Sequence, residues 1–322
     1  MYVRTTRFAA ALAAGTLLLA ACGSDDDSDS EEASADTEAP PGETSDTEAE
    51  ETTDSAADDE AMDDEAVEDD AAGDACANTI DDGVLTLATG EPAFEPWVVD
   101  NAPESGEGFE AAVAMAVAAE MGYEGDSVTW VRSGFDEAIQ PGAKDFDLNI
   151  QQFSITPERD ETVDFSLPYY EGNQALVALD GSAAEGASIA DLQGLQLGAQ
   201  SGTTSLTFIT DVIQPDSEPL VYNDNVSVKA ALEANQLDAA VFDLPTALYV
   251  SAVEIEGSSV IGQFTRETGG QGDQLGFVLE NDSPLKPCVD AAITSLTESG
   301  ELGEITDTWL EVGDVAPIIP SE

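Results

Sequence analysis

The sequence contains no histidine and very little positive charge. Its 322 residues include 8 lysines and arginines against 68 aspartates and glutamates, and the formal net charge is −60. Without histidine, Ser–His–Asp catalysis, Cys–His catalysis and histidine-ligated zinc sites are excluded. The shortage of cations argues against binding to nucleic acid or to anionic membranes, because too few side chains are available to neutralise phosphates. The acidity concerns solubility, with a saline habitat as one hypothesis, and we predict neither a cofactor nor a metal site.

Long hydrophobic runs are also scarce. Arg4 and Arg7 precede an apolar run over residues 8–21, which is too short to span a membrane and is typical of a signal peptide. The residues around Cys22, Leu-Ala-Ala-Cys-Gly, resemble the bacterial lipobox, in which a small-residue cleavage site precedes a lipidated cysteine. This resemblance implies removal of residues 1–21 and lipid attachment to Cys22. A plain secretory signal with a chance cysteine is the alternative.

The segment that follows lacks basic and aromatic residues. Residues 23–75 contain 24 acidic side chains by count, with Val67 and Met62 as the only larger apolar ones. Such a composition cannot bury enough surface to offset the entropy of ordering. We therefore predict a disordered acidic tether over residues 22–75. It would hold a folded part away from a lipid anchor on the outer face of the cell membrane.

Cysteine is equally rare. Only Cys76 and Cys288 remain after Cys22. In an exported domain an even pair indicates a disulfide rather than two thiols, although two buried free thiols are the alternative. If the two cysteines are bonded, the last helices must lie on the same lobe as the start of the folded part.

What the folded part does contain is an alternation of strands and helices. Residues 84–89 predict a buried strand, and apolar residues recur at helical spacing over residues 109–121. The alternation predicts an α/β fold with right-handed crossovers, in two blocks joined by two extended crossings. The predicted boundaries are residues 76–172 for the first part of lobe 1, 173–273 for lobe 2 with its crossing strand, and 274–322 for a return strand and C-terminal helices on lobe 1.

The stretch 149–170, NIQQFSITPERDETVDFSLPYY, contains one of the three arginines outside the N-terminal segment. Pro157 suits the first turn of a helix with Thr156 as its cap, so Arg159 follows a strand beside free backbone N–H groups. A guanidinium in that position suits a carboxylate, although surface pairing with Asp160 or Glu161 is the alternative. In the second block Asp243 ends a strand. An arginine and an aspartate that face one cleft are complementary to an α-amino acid zwitterion.

Five motifs then make the sequence similar to a known family. They are GFEAAVA at Gly108, SITPER at Ser154, VDFSLPYY at Val163, GAQSGTTS at Gly198 and LDAAVFD at Leu237. From about residue 85 to residue 310 the chain resembles the family 3 extracellular solute-binding proteins, the amino-acid receptors of ABC importers. The lipobox and the cysteine pair resemble actinobacterial versions.

The resemblance implies a fold and a set of partners. The fold is a two-lobed, type II periplasmic-binding-protein-like α/β fold, with two crossings and the ligand in the interlobe cleft. The implied function is binding, without enzymatic activity, by a monomer that captures an amino acid. The captured ligand would pass to ABC permease subunits powered by their ATPase.

It also implies roles for individual residues. Arg159 would bind the ligand α-carboxylate, and Thr204, at a helix start after Gly202, would add donors. Asp243 would accept the α-ammonium, helped by Gln152 and Ser154.

The remaining predictions concern the ligand side chain. Phe94 and Phe135 would enclose it, and Glu91 is a candidate selector. Gln151 and Gln152 stand where many relatives have small residues, which favours a polar ligand.

Two alternatives use the same scaffold. One is an enzyme, such as a dehydratase or a cell-wall lyase, and it needs a catalytic carboxylate in the cleft, for which Glu91 is the candidate. The other is the ligand-sensing domain of a receptor.

Overall fold

The structure, a computed structural model, describes residues 76–270, 272–310 and 316–322. The predicted signal peptide, the lipobox Cys22 and the acidic tether lie outside these residues. No helix in the described part of the chain is both long and apolar enough to cross a membrane.

The described residues form twelve strands and eight α-helices. The strands are β1 (Leu85–Thr89), β2 (Val128–Arg132), β3 (Leu148–Asn149), β4 (Asp164–Phe165), β5 (Tyr170–Gly172), β6 (Gln174–Leu179), β7 (Leu197–Gln200), β8 (Leu220–Tyr222), β9 (Ala239–Asp243), β10 (Ser258–Phe264), β11 (Asp273–Leu275) and β12 (Val278–Leu279). The α-helices are α1 (Phe109–Glu120), α2 (Phe135–Ala138), α3 (Ile189–Leu192), α4 (Thr204–Phe208), α5 (Asn225–Glu233), α6 (Leu244–Tyr249), α7 (Lys286–Ser299) and α8 (Glu301–Leu310).

The strands assemble into one sheet for each lobe and a short ribbon between them. The first sheet has the order β2-β1-β3-β12-β4, and the second has the order β10-β6-β9-β7-β8. Strands β5 and β11 pair antiparallel, with Tyr170 opposite Leu275 and Gly172 opposite Asp273. Because β5 leads into β6 and β11 leads into β12, this ribbon carries both crossings between the lobes. The predicted two-lobed α/β fold is confirmed.

The sheets are mixed rather than wholly parallel, and the crossings explain why. Strand β1 is parallel to β2 and β3. Strand β12, which follows the return crossing, is antiparallel to β3 and β4. Strand β6, which follows the first crossing, is antiparallel to β9 and β10. In each sheet, therefore, the strand that follows a crossing runs antiparallel to the strands that are connected through crossover helices.

Each lobe has its own core. In the first lobe Phe109 of α1 packs edge-on against Trp97 with ring centroids 5.8 Å apart, and both are fully buried. Helices α7 and α8 pack on α1 in the same core, through Val289, Leu296 and Leu310. Truncating an aromatic core residue such as Phe109 to alanine typically costs about 3–5 kcal/mol. The second lobe buries clusters on both faces of its sheet.

The cysteine pair forms the predicted disulfide. Cys76 and Cys288 are bonded, with Cα atoms 5.7 Å apart. The carbonyl of Cys76 also accepts a hydrogen bond from the Tyr123 hydroxyl at 2.7 Å. The start of the folded part is thereby fixed to α7, so the last two helices lie on the first lobe.

The end of the chain corrects one prediction, because residues 316–322 lie on the second lobe rather than the first. The Gln263 N–H donates to the Pro317 carbonyl at 2.8 Å, and the Ile319 N–H donates to the Gln263 carbonyl at 3.0 Å. Ile319 is buried in the second core. The cause is β10, a strand that the sequence pattern did not indicate. Its open edge offers backbone groups for pairing, and at Gly262 an added Cβ would lie 2.6 Å from the Pro317 carbonyl oxygen.

Candidate functional site

A cavity lies between the lobes, at the ends of strands from both sheets. The space that can hold the centre of a water-sized molecule is about 70 Å³, so the cavity is narrow. Most of the predicted site residues line it: Phe94, Phe135, Gln151, Gln152, Ser154, Arg159, Thr204 and Asp243. Glu91 and Gly202 do not.

Arg159 is the buried cation of the cavity. It begins a short 3₁₀ turn whose N-cap position is Glu158 rather than the predicted Thr156. Thr156 Oγ1 accepts the Arg159 N–H at 3.2 Å. Its Nη1 donates to the Ser154 carbonyl at 2.6 Å, and its Nη2 donates to the Gly202 carbonyl of the other lobe at 2.8 Å. Burial lowers the pKa of Arg159, while the nearby Asp273 raises it. The group remains a cation, and three of its five N–H groups are left for an anionic partner.

Asp243 is the opposing anion on the second lobe. It ends β9 and is the N-cap of α6, where its Oδ1 accepts the Thr246 N–H at 2.8 Å. Burial raises its pKa to about 6, the hydrogen bonds from Thr246 act against that shift, and the charge of Asp273 adds to it. A carboxylate that is costly to desolvate alone is stabilised by a cationic partner.

A hydroxyl pair joins the two walls next to Arg159. Ser154 Oγ and Thr204 Oγ1 are 3.1 Å apart across the cleft. Thr204 Oγ1 also lies 3.0 Å from Asp273 Oδ2, which in addition accepts a hydrogen bond from the Gln174 carboxamide. Sequence reasoning did not identify Gln174 or Asp273. Both belong to the crossing strands, so their place in the cavity follows from the ribbon rather than from a local motif.

Two aromatic rings face the cavity from the first lobe. Phe135 stacks on Phe153 with ring centroids 4.8 Å apart, and the Arg159 guanidinium carbon lies 5.6 Å from the Phe135 centroid. Phe94 is covered from the second lobe by Lys229, whose Nζ is 4.8 Å from the ring centroid. Each ring therefore contacts a cation as well as the cavity.

Glu110, which sequence reasoning missed, holds Gln152 in place. Gln152 has a positive φ of 51°. Its backbone N–H donates to Glu110 Oε1 at 2.7 Å, and its carboxamide donates to Glu110 Oε2. The Tyr169 hydroxyl also donates to Oε1. Burial raises the Glu110 pKa to about 7 against these hydrogen bonds. The available signal was a carboxylate inside the apolar GFEAAVA run.

Glu91, the predicted selector, lies outside the cavity. Its Oε1 accepts from Asn101 Nδ2 at 2.9 Å, and its Oε2 is 3.4 Å from Arg132 Nε. Arg132 is fixed by the Gly90 carbonyl at 2.6 Å and the Asn101 carbonyl at 2.7 Å, so it draws the Glu91 carboxylate away from the cleft. Gly202 contributes its backbone carbonyl, which binds Arg159.

The two lobes are in contact around the cavity. Besides the Arg159–Gly202 and Ser154–Thr204 contacts, Trp97 Nε1 donates to Thr246 Oγ1 at 2.8 Å. Thr246 is also the residue whose backbone N–H donates to Asp243. The arrangement is a closed one, and its opposed charges are complementary to a small zwitterion. No metal-binding cluster of acidic or cysteine side chains occurs among the described residues.

Comparison with known proteins adds three kinds of similarity. The family model for bacterial extracellular solute-binding proteins, family 3, matches residues 85–312. An L-arginine-binding protein of Pseudomonas aeruginosa is 27% identical over 225 residues, covering 68% of this chain and 85% of that protein. An ancestral arginine-binding protein bound to glutamine superimposes with a TM-score of 0.61 at 28% identity, covering 71% of this chain and 99% of the other.

A second similar structure is that of an amino acid ABC transporter substrate-binding protein of Streptococcus pneumoniae bound to L-arginine. It gives a TM-score of 0.59 at 29% identity, covering 71% of this chain and 95% of that one.

Proposed function

Because the chain belongs to the bacterial extracellular solute-binding proteins of family 3, we propose that it captures a free α-amino acid outside the cytoplasm and delivers it to the permease of an ABC importer. The observation that carries the proposal is that one buried cation, Arg159, and the carboxylate of Asp243 line the same cavity from opposite lobes. The names of its relatives, which include an arginine-binding protein and an ABC transporter component, support it.

The proposed mechanism is capture by closure. An open form meets the ligand, and closure about the β5–β11 ribbon brings Gly202, Thr204 and Asp243 to the first lobe. The free N–H groups of Arg159 bind the α-carboxylate, with the Ser154 and Thr204 hydroxyls beside it. Asp243 accepts the α-ammonium, and its charge becomes less costly to bury once it is paired. Phe94 and Phe135 enclose the ligand side chain.

We propose binding without turnover. The enzyme alternative depended on Glu91, whose carboxylate is engaged by Arg132 and Asn101 away from the cavity. We further propose that the protein acts as a monomer, anchored by lipid on Cys22 and spaced from the membrane by residues 22–75. The composition of residues 1–75 supports that placement.

The test is a thermal-shift panel of the twenty amino acids on residues 76–322, with dipeptides and sugars as controls. A ligand at a thousand times its Kd stabilises the folded state by about 4 kcal/mol, which is readily seen as a higher Tm. Recovery of the unchanged ligand after prolonged incubation checks for turnover. A shift with sugars or peptides but with no amino acid would overturn the proposal.

A further inference from the structure

The chemistry of the cavity beyond the zwitterion-binding pair gives information on the ligand side chain. The described residues place three charged side chains on the cavity wall: Arg159, Asp243 and Asp273. The first two are assigned to the α-carboxylate and the α-ammonium. Asp273 lies at the carboxylate end, because its Oδ2 is 3.0 Å from Thr204 Oγ1 and Thr204 is 3.1 Å from Ser154. No described charged group therefore remains for the ligand side chain.

Uncharged carboxamides and hydroxyls make up the rest of the polar wall. Gln151 of the first lobe lines the cavity together with Gln200 and Asn225 of the second lobe. Gln200 ends β7 and Asn225 begins α5, so both project from the ends of elements toward the cleft. These neutral donors and acceptors suit a neutral polar ligand group better than they suit a charged one. A charged group would lose its hydration without gaining a counter-charge.

Gln151 is the most informative of the three. Its Oε1 is buried and has no hydrogen-bond partner among the described residues. Buried polar atoms nearly always have a partner, so this oxygen is poised to accept a hydrogen bond from something that enters the cavity. The position of the carboxamide depends on Gly90, where an added Cβ would lie 2.5 Å from Gln151 Nε2. Gly90 thus makes room for the amide at the edge of the cavity.

The one acidic residue near this end does not provide a charge to the cavity. Glu91 follows Gly90 directly, but its carboxylate pairs with Arg132 and its side chain is 58% exposed. A cationic ligand side chain would therefore find a carboxamide where it needs a carboxylate. An acidic side chain would find no cation there, since Lys229 is held by Glu254 at 2.7 Å.

We infer that the cavity selects an amino acid with a carboxamide side chain, and that Gln151 recognises this side chain by hydrogen bonds. This inference rests on the proposed function and narrows it to glutamine or asparagine. A carboxamide matches Gln151 because it both donates and accepts, so the two amides form a reciprocal pair whichever way each is turned. A site built for such a pair rejects ligands that leave its polar atoms unpaired.

Calorimetric titration of the full chain with glutamine, asparagine, glutamate, methionine and arginine tests the inference. We expect glutamine or asparagine to bind at least tenfold more tightly than the other three. In Gln151→Met the ratio of amide to methionine affinity should fall at least tenfold. Gln236→Met changes an exposed glutamine outside the cavity and should leave the ratio unchanged. Gln151→Glu should move the preference toward arginine.

The outcomes separate this inference from the proposed function. Tighter binding of arginine, glutamate or methionine than of both amides by the unmutated protein would overturn the inference and leave amino-acid capture intact. A Gln151→Met protein that keeps the ratio of amide to methionine affinity would show that Gln151 does not recognise the ligand side chain. Binding of no amino acid at all would overturn both. The ligand preference of the unmutated protein decides the ligand class even if a variant fails to fold, and Gln151→Glu then provides a second test of the role of Gln151.

Discussion

The two walls of the cavity are built in different ways. On the second lobe the polar residues stand at helix starts: Thr204 begins α4, Asn225 begins α5 and Asp243 caps α6. On the first lobe they stand in irregular segments after short strands and are fixed by distant partners. Gln152 is held by Glu110, 42 residues away, and Arg159 by the carbonyl of Gly202, 43 residues away.

The difference separates local from long-range positioning. A helix start fixes its side chains through backbone geometry and a cap, so the second wall keeps its shape whenever its helices form. The first wall depends on contacts between elements, and the carbonyl of Gly202 belongs to the other lobe. It is therefore the wall that we expect to lose its geometry when the lobes separate or when its supporting groups are changed.

The largest expected effect concerns the disulfide. Both of its cysteines belong to the first lobe, and the described part of the second lobe contains no disulfide. Replacing both cysteines by serine frees a loop of 212 residues. In the chain-entropy model the free energy of unfolding then falls by about 5 kcal/mol. Ligand affinity should stay within threefold, because the bond is at α7 and not in the cavity. Urea unfolding and calorimetry measure the two quantities, and a tenfold loss of affinity would show that the first wall depends on the staple.

The next effect concerns the cation of the first wall. Arg159→Ala removes the proposed partner of the ligand α-carboxylate in a buried charge pair. It should weaken amino-acid binding by about 2–5 kcal/mol, some thirty-fold to several thousand-fold. Arg266→Ala is the matched control, because Arg266 pairs with Glu171 at 3.1 Å on the exposed surface. The control should bind within threefold of the unmutated protein. An Arg159→Ala protein that also binds within threefold would remove Arg159 from the site.

A smaller effect concerns Glu110, the support of the first wall. Its pKa is raised from 4.5 to about 7, so between these values the folded protein binds a proton that the unfolded chain has released. Stability contributed by this group is therefore lost as the pH rises from about 4.5 to 7, and it then levels off. The full difference is on the order of 3 kcal/mol.

Urea unfolding at pH 5 and pH 7 measures that slope. Glu110→Gln should flatten it, while Glu120→Gln, at the exposed end of the same helix, should retain it. Equal slopes in all three proteins would mean that the Glu110 proton is not coupled to folding.

The smallest effect concerns the anion of the second wall. With a pKa of about 6, Asp243 is mostly protonated at pH 5 and then lacks the charge that the ligand ammonium requires. Affinity should fall by about tenfold between pH 7.5 and pH 5. Asp243→Asn keeps a good N-cap, so it should fold normally, bind more weakly and lose this pH dependence. Parallel pH profiles for the two proteins would rule out Asp243 as the titrating group.

The same contrast explains how far the sequence predicted the site. Asp243 was predicted from the end of its own strand, which adjacent residues encode, and the role of Thr204 was implied by the family resemblance. Arg159 was predicted from its own turn, but the conformation of the residues before it was not predicted. The chain leaves the sheet after Asn149, and Gln152 takes a positive φ, because Glu110 binds its backbone. No local pattern shows that a glutamate in a distant helix will do this.

Long-range pairing also explains the two differences in the fold and at the site. Strand β10 has serine, glutamine and glycine among its residues and shows no clear alternation, yet it pairs with β6 and accepts the C-terminal residues. Glu91 stands near the predicted cleft in the sequence, but Arg132, 41 residues later, holds it at the surface. In both cases the position in the structure is decided by a partner that is distant in the sequence: β6 for strand β10 and Arg132 for Glu91.

The C-terminal residues on β10 make the two ends of the folded chain useful as reporters. The chain starts on the first lobe, beside the Cys76–Cys288 bond, and ends on the second at exposed Glu322. A donor dye near Asn78 and an acceptor dye at Glu322 would therefore be attached to different lobes. Their energy transfer would follow the hinge angle in single molecules, with no label inside the cleft and no change to any residue that contacts the ligand.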